Sequence, residues 1–232
     1  MLYYKEYGSK DGQLVIFIHG GFTTNESFIK QFNLFPDKRM IFVDLPGYGN
    51  SKVDSLDGFT FKNAALGIIE LIENLSPHKK VILIAHSYGG LVVKKILSKI
   101  PEKIGKVVVG STNIQRSPLF WLYTRKIGCQ ILWIQNKERY VREGISWKCV
   151  CDTQKDAWRN FNLDEVEINF KIPCLFLYAE HDIKEIRDSM KLWEKKLANC
   201  KIHKIPKSGH NYFFDMPESV NPVISYFVNE KL

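Results

Sequence analysis

Val81-Ile-Leu-Ile-Ala-His-Ser-Tyr-Gly-Gly90, leading into a helical pattern over Tyr88–Lys99, is the stretch on which the reading of this chain turns. Its first five residues are apolar without alternation, which suits a strand covered on both faces. A serine set directly between a buried strand and a helix is forced into a sharp turn that exposes its hydroxyl. Only small residues two positions to either side let strand and helix approach each other. Ala85 and Gly89 occupy those positions. Ser87 also stands at a helix N-terminus, where free N–H groups and the dipole favour negative charge. Lys94, Lys95 and Lys99 lie toward the opposite end. An ordinary N-cap serine would look the same in isolation, so the rest of the chain must decide.

Further short apolar runs flank this segment. Leu14-Val-Ile-Phe-Ile18, ended by His19-Gly20-Gly21, reads as a buried strand, as do Met40–Val43 and Val107–Val109. Helical patterns lie between them at about Asn25–Phe35 and Phe61–Asn74; in the latter, Ala65, Ile68, Ile69 and Ile72 recur at helical spacing. Non-alternating strands separated by helices imply βαβ units and a mostly parallel sheet flanked by helices, an α/β fold.

The rhythm stops after Ser111. From about Thr112 to Phe170 there is no buried-strand run, and four of the five tryptophans lie here: Trp121, Trp133, Trp147 and Trp158. It then resumes with a strand over Pro173–Tyr178, a helix over Ile183–Ala198, a short strand over Lys201–Ile205 and a helix over Pro217–Glu230. One core, 1–111 with 171–232, interrupted by a mainly helical insertion at 112–170, is the expected organisation.

Each later strand is followed by a residue that completes a chemistry. Glu180-His181-Asp182 follows the strand ending near Ala179, and Lys207-Ser-Gly-His210 follows the last short strand. The order is serine, acid, histidine. A serine hydroxyl is a weak nucleophile and must lose its proton as it attacks a carbonyl. A histidine takes that proton and returns it to the leaving group, while a carboxylate on the other ring nitrogen fixes the tautomer and stabilises the imidazolium. These roles fall to Ser87, His210 and Asp182. Glu180 and Asp215 are rival acids, and His181 and His203 rival bases, but only His210 follows a glycine in the loop after the last strand. His19 and His86 are read as hydrogen-bonded framework residues.

At this point the sequence resembles the α/β-hydrolase family over nearly its whole length. It departs from the family's G-x-S-x-G only in having Ala85 at the first glycine. The resemblance implies that His19-Gly20-Gly21 is the oxyanion loop and that Asp44–Ser51 is the family's loop after the next strand. It places the oxyanion donors at the N–H groups of Tyr88 and Gly21, with Phe22 as second choice for the latter. It also makes the 112–170 insertion a cap over the active site, with Phe22, Trp121 and Trp133 as expected substrate-binding residues. Epoxide hydrolases and haloalkane dehalogenases of the family carry aspartate as nucleophile, so serine here points to acyl transfer. Carboxylic esters come first, then lactones, thioesters or activated C–C bonds.

Composition narrows the alternatives. At 232 residues and 27.0 kDa, the chain suits one domain. With 45% hydrophobic and 25% charged residues it reads as an ordinary globular protein. No apolar run reaches the ~18 residues of a membrane span. Met1–Tyr7 lacks the layout of a secretory signal, so a cytoplasmic location is expected. The net charge is +8, but the lysines are scattered and no nucleic-acid-binding motif accompanies them. Five cysteines without a paired framework read as reduced thiols. Cys149-Val-Cys151 lacks partners at zinc-site spacing. Gly47-Tyr-Gly49 fails as a dinucleotide loop because the third glycine would fall at Lys52. Neither a metal nor a cofactor is expected. From Arg116 to Arg159 there are nine Lys/Arg and four Asp/Glu, which admits an acidic small-molecule substrate or carrier. A hydrolase-fold receptor or interaction module with little turnover stands as the alternative to an enzyme.

Overall fold

The computed structural model describes residues 2–52, 59–112, 126–160, 172–196 and 199–230. Their strands are β1 (Tyr4–Gly8), β2 (Leu14–Ile18), β3 (Arg39–Val43), β4 (Val81–His86), β5 (Ile104–Gly110), β6 (Cys174–Ala179) and β7 (Cys200–Ile205). They form a single sheet in the order β1-β3-β2-β4-β5-β6-β7, with every neighbouring pair parallel except β1 and β3. This is the α/β-hydrolase architecture that the sequence implied.

The apolar runs fail to alternate because both faces of the sheet are covered. Ile16, Ile18, Leu83, Ala85, Val107 and Val109 point into one core, together with the inner sides of α1 (Phe61–Leu75) and α2 (Gly89–Leu97). Val15, Phe17, Ile82, Ile84 and Val108 point into the other, beneath Phe28 and the residues of α7 (Pro217–Asn229). Fully burying one such side chain stabilises by about 1.5–3 kcal/mol, so the sheet is fixed from both sides.

Topology decides where a site forms. From β2 the chain moves outward to β3, then returns to the opposite side of β2 as β4. Ligands of open α/β sheets bind at such a reversal, outside the carboxyl ends of the strands. The register aligns those ends: Ile18 pairs with Ala85, His86 with Gly110, Gly110 with Leu177 and Ala179 with Ile205.

One strand is added to the expected elements and one expected helix is corrected. β1 was not foreseen, because Tyr4–Gly8 is a half-buried antiparallel edge strand without an apolar signature. The helix expected at Asn25–Phe35 is a shorter 3-10 segment, Asn25–Gln31, broken at Phe28. Asn25 is tied to Asp44, and Gln31 to the Phe213 carbonyl. These tertiary bonds override the local helical pattern.

Within 112–170 the described residues form two helices, α3 (Lys126–Arg142) and α4 (Trp147–Asn160). Tyr140, Ile145, Cys149, Val150 and Ala157 join the core under them. Polar ties add to this: Tyr48 Oη meets Thr153 Oγ1 at 2.7 Å, and the Tyr88 hydroxyl donates to Gln154 Oε1 at 2.7 Å. The Phe61 N–H, at the start of α1, donates to Asp156 Oδ2 at 2.6 Å. The last is an N-terminal cap supplied from another part of the chain. Between β6 and β7 lies α5 (Lys184–Lys196), and the one-turn α6 (Tyr212–Asp215) precedes α7. Among the described residues no helix is long and apolar enough to cross a membrane.

Candidate active site

Ser87 sits at the point where β4 gives way to α2, with a φ of 52°. A left-handed backbone costs an L-residue roughly 1–2 kcal/mol and persists only where its surroundings enforce it. The enforcement is visible: the Ser87 N–H donates to the Gly110 carbonyl at 2.7 Å, and Thr112 Oγ1 donates to the Ser87 carbonyl at 2.7 Å. A Cβ at position 89 would strike the Ile18 carbonyl, so glycine is required there. Ala85 is fully buried, and its methyl group fits on the other side of the turn.

The structure brings Ser87, His210 and Asp182 together. His210 Nε2 lies 3.0 Å from Ser87 Oγ, and His210 Nδ1 lies 2.7 Å from Asp182 Oδ1. With Nδ1–H donating to the carboxylate, Nε2 is left to accept the serine proton. Asp182 is 5% exposed. Burial pushes its carboxyl up, but hydrogen bonds and charge from His210, the Ser111 hydroxyl and the Ala179 N–H outweigh that and hold it below its ordinary value.

Ser111, at the end of β5, was not singled out from the sequence. It is fully buried, has a φ of 47°, and donates its hydroxyl to Asp182 Oδ2. The only sequence signal was a small polar residue closing the run Val107–Gly110. Among the described residues, the non-glycine residues with positive φ are Phe22, Ser87, Ser111 and Lys207. Three of them line one cavity of about 340 Å³, and the fourth precedes His210 by three positions. Strain concentrated in this way marks a functional locus.

The remaining expected residues sort by position. Gly21, Phe22 and Tyr88 line the same cavity, with His181, Ile183 and Ile186. The Phe22 N–H is engaged by the Tyr48 hydroxyl at 3.4 Å. Trp133 instead packs on Tyr140 and Trp147 within the insertion and does not line this cavity. Trp121 lies outside the described residues. Of the rival residues, Glu180 is held on the surface by Lys204 and the Lys207 N–H, which together depress its carboxyl. Asp215 lines a separate cavity, and His203 is exposed on β7.

His19 and His86 brace the site. His19 Nδ1 donates to the Gly20 carbonyl at 2.7 Å, and its Nε2 accepts the Leu45 N–H at 2.9 Å. Both nitrogens are thereby occupied, and the loops after β2 and β3 are joined. His86 Nε2 donates to the His210 carbonyl at 2.9 Å. Burial, and then the neighbouring His210, lower its pKa to about 3, so it is neutral at physiological pH. No group of three His, Cys, Asp or Glu residues that could hold a metal occurs among the described residues.

Comparison with known proteins follows the same lines. The family model described as "Alpha/beta hydrolase family" matches residues 15–223. Epoxide hydrolase 1 of Caenorhabditis elegans is 34% identical over 281 aligned positions, covering 99% of this chain and 68% of the relative. The uncharacterized hydrolase YugF of Bacillus subtilis is 30% identical over 138 residues, a match that spans 54% of this chain and 50% of YugF. A thermophilic esterase from Thermogutta terrifontis, solved with malate bound, superposes with a TM-score of 0.80 at 18% identity. That superposition covers 98% of this chain and 92% of the esterase, a likeness of fold.

Proposed function

The chain belongs to the α/β-hydrolase family, and from that membership we propose that it is a serine hydrolase cleaving a carboxylic ester or a related acyl bond. The observation that carries the proposal is the continuous hydrogen-bonded path from Ser87 Oγ through His210 to Asp182. Ser87 Oγ attacks the acyl carbon while its proton passes to His210 Nε2. The imidazolium is stabilised by Asp182, and the oxyanion by the N–H groups of Gly21 and Tyr88. Collapse expels the alcohol, which takes the proton from His210. Water then repeats the sequence on the acyl-enzyme and regenerates Ser87.

The activity in the name of the C. elegans relative is not carried over. Opening an epoxide through an alkyl-enzyme ester needs a carboxylate nucleophile, and a serine alkoxide would form a stable ether instead. The lining favours a neutral apolar group: Phe22, Ile183 and Ile186 contribute, and among the described residues no Lys or Arg does. Arg139 faces the separate cavity of about 270 Å³. The described residues of this cavity offer an anionic ester no Lys or Arg partner, and kcat/KM for such an ester is expected to vary little with ionic strength.

Ser87→Ala is expected to abolish turnover of short p-nitrophenyl esters and labelling by a fluorophosphonate while leaving the circular dichroism spectrum unchanged. Asp182→Asn should lower kcat by about 10⁴. Full activity in Ser87→Ala would refute the assignment of the nucleophile. Labelling of the wild type with only one slow turnover would support the receptor alternative.

A further inference from the structure

Two adjacent buried residues of α4 reach the two segments that carry the proposed oxyanion donors through tyrosine hydroxyls. Thr153 and Gln154 are 0% and 3% exposed. Thr153 Oγ1 meets Tyr48 Oη at 2.7 Å, and that same hydroxyl accepts the Phe22 N–H at 3.4 Å. Phe22 holds a φ of 63°, a conformation that its neighbours must enforce. Gln154 Oε1 accepts from the Tyr88 hydroxyl at 2.7 Å. The Tyr88 ring lies directly beneath Gly21, where a Cβ would collide with it. The loop after β2 and the residue after Ser87 are thus each anchored to one helix of the insertion. Thr153 and Gln154 are themselves buried, where a lost partner leaves an uncompensated polar group.

We infer that α4 sets the geometry of the oxyanion donors, with Thr153 and Gln154 as positioning residues acting through Tyr48 and Tyr88. The inference rests on the acyl-transfer reading above. If the anchors position donors, loosening one weakens the transition state more than the ground state. Thr153→Val keeps the side-chain shape and removes the hydroxyl, and Gln154→Leu removes the acceptor for Tyr88. Each is expected to lower kcat on p-nitrophenyl acetate by about 10-fold or more, short of the 10²–10³ of a deleted donor. KM should stay within about 2-fold, and the rate of fluorophosphonate labelling should fall in parallel. Thr153→Ser should restore wild-type values. If Thr153→Val fails to fold, Tyr48→Phe removes the same bridge from the core side and is read in the same way. Variants that lose thermal stability alone, or that raise KM with kcat unchanged, would overturn the inference while leaving the acyl-transfer reading intact. A wild type that neither turns over esters nor labels would instead overturn that reading, and this inference with it.

Discussion

His86 shows how much a single side chain can decide beside a reactive serine. Its ring is buried and hydrogen-bonded to the backbone of His210, so protonation would place a charge in a desolvated position flanked by His210 and His19. The native pKa of about 3 lies below the ordinary value of about 6.5. The unfolded chain therefore binds the proton first as pH falls, and folding stability is lost between roughly pH 6.5 and 3. The linkage amounts to on the order of 5 kcal/mol across that range. Denaturant titrations at several pH values should show this slope in the wild type and a flatter profile in His86→Gln. A residual slope should persist from His19, whose pKa burial also lowers. An unchanged profile would refute the assignment. Such a role was legible only in outline: the sequence put His86 beside Ser87, but its burial depends on residues more than a hundred positions away.

At the scale of elements, helix ends carry much of the information. The Lys106 ammonium, on β5, donates to the carbonyls of Phe227, Val228 and Glu230 at 2.8, 3.0 and 2.6 Å. It thus closes the C-terminus of α7, where carbonyls lack helical partners. Lys106→Met is expected to lower stability by about 2 kcal/mol, since charge-assisted bonds are lost and carbonyls are left buried. Catalytic constants should be unaffected, because the contact lies at the N-terminal half of β5, away from Ser87. A loss within experimental error in chemical denaturation would show that water replaces the ammonium. No local signal in the sequence marks this cap, whereas α1 was readable from its own residues. The apolar spacing from Ala65 to Ile72 and the Thr60 cap on the Asn63 N–H are local features.

At the scale of the whole molecule, α3 and α4 are tied to the sheet and its helices by both polar and apolar contacts. The polar ties from Thr153, Gln154 and Asp156 to Tyr48, Tyr88 and Phe61 accompany a shared apolar core. Calorimetry should therefore record a single cooperative unfolding transition. Two resolved transitions would mean that α3 and α4 fold as a separate unit. The basic character of the insertion was legible as charge, but its direction was not: Arg139 faces a cavity that does not include Ser87.

Periodicity and order along the chain were enough to establish a doubly covered parallel sheet, a serine at a strand-to-helix turn, and an acid and a histidine after later strands. Each is a local property, because residue spacing alone dictates which faces are buried and where a turn must fall. Only the folded chain decided that Ser111 would hold Asp182, that Trp133 would pack away from the cavity, and that Asn25–Gln31 would tighten into a 3-10 segment. Those outcomes depend on partners distant in sequence, whose meeting is set by the register of the sheet and the packing on its two faces.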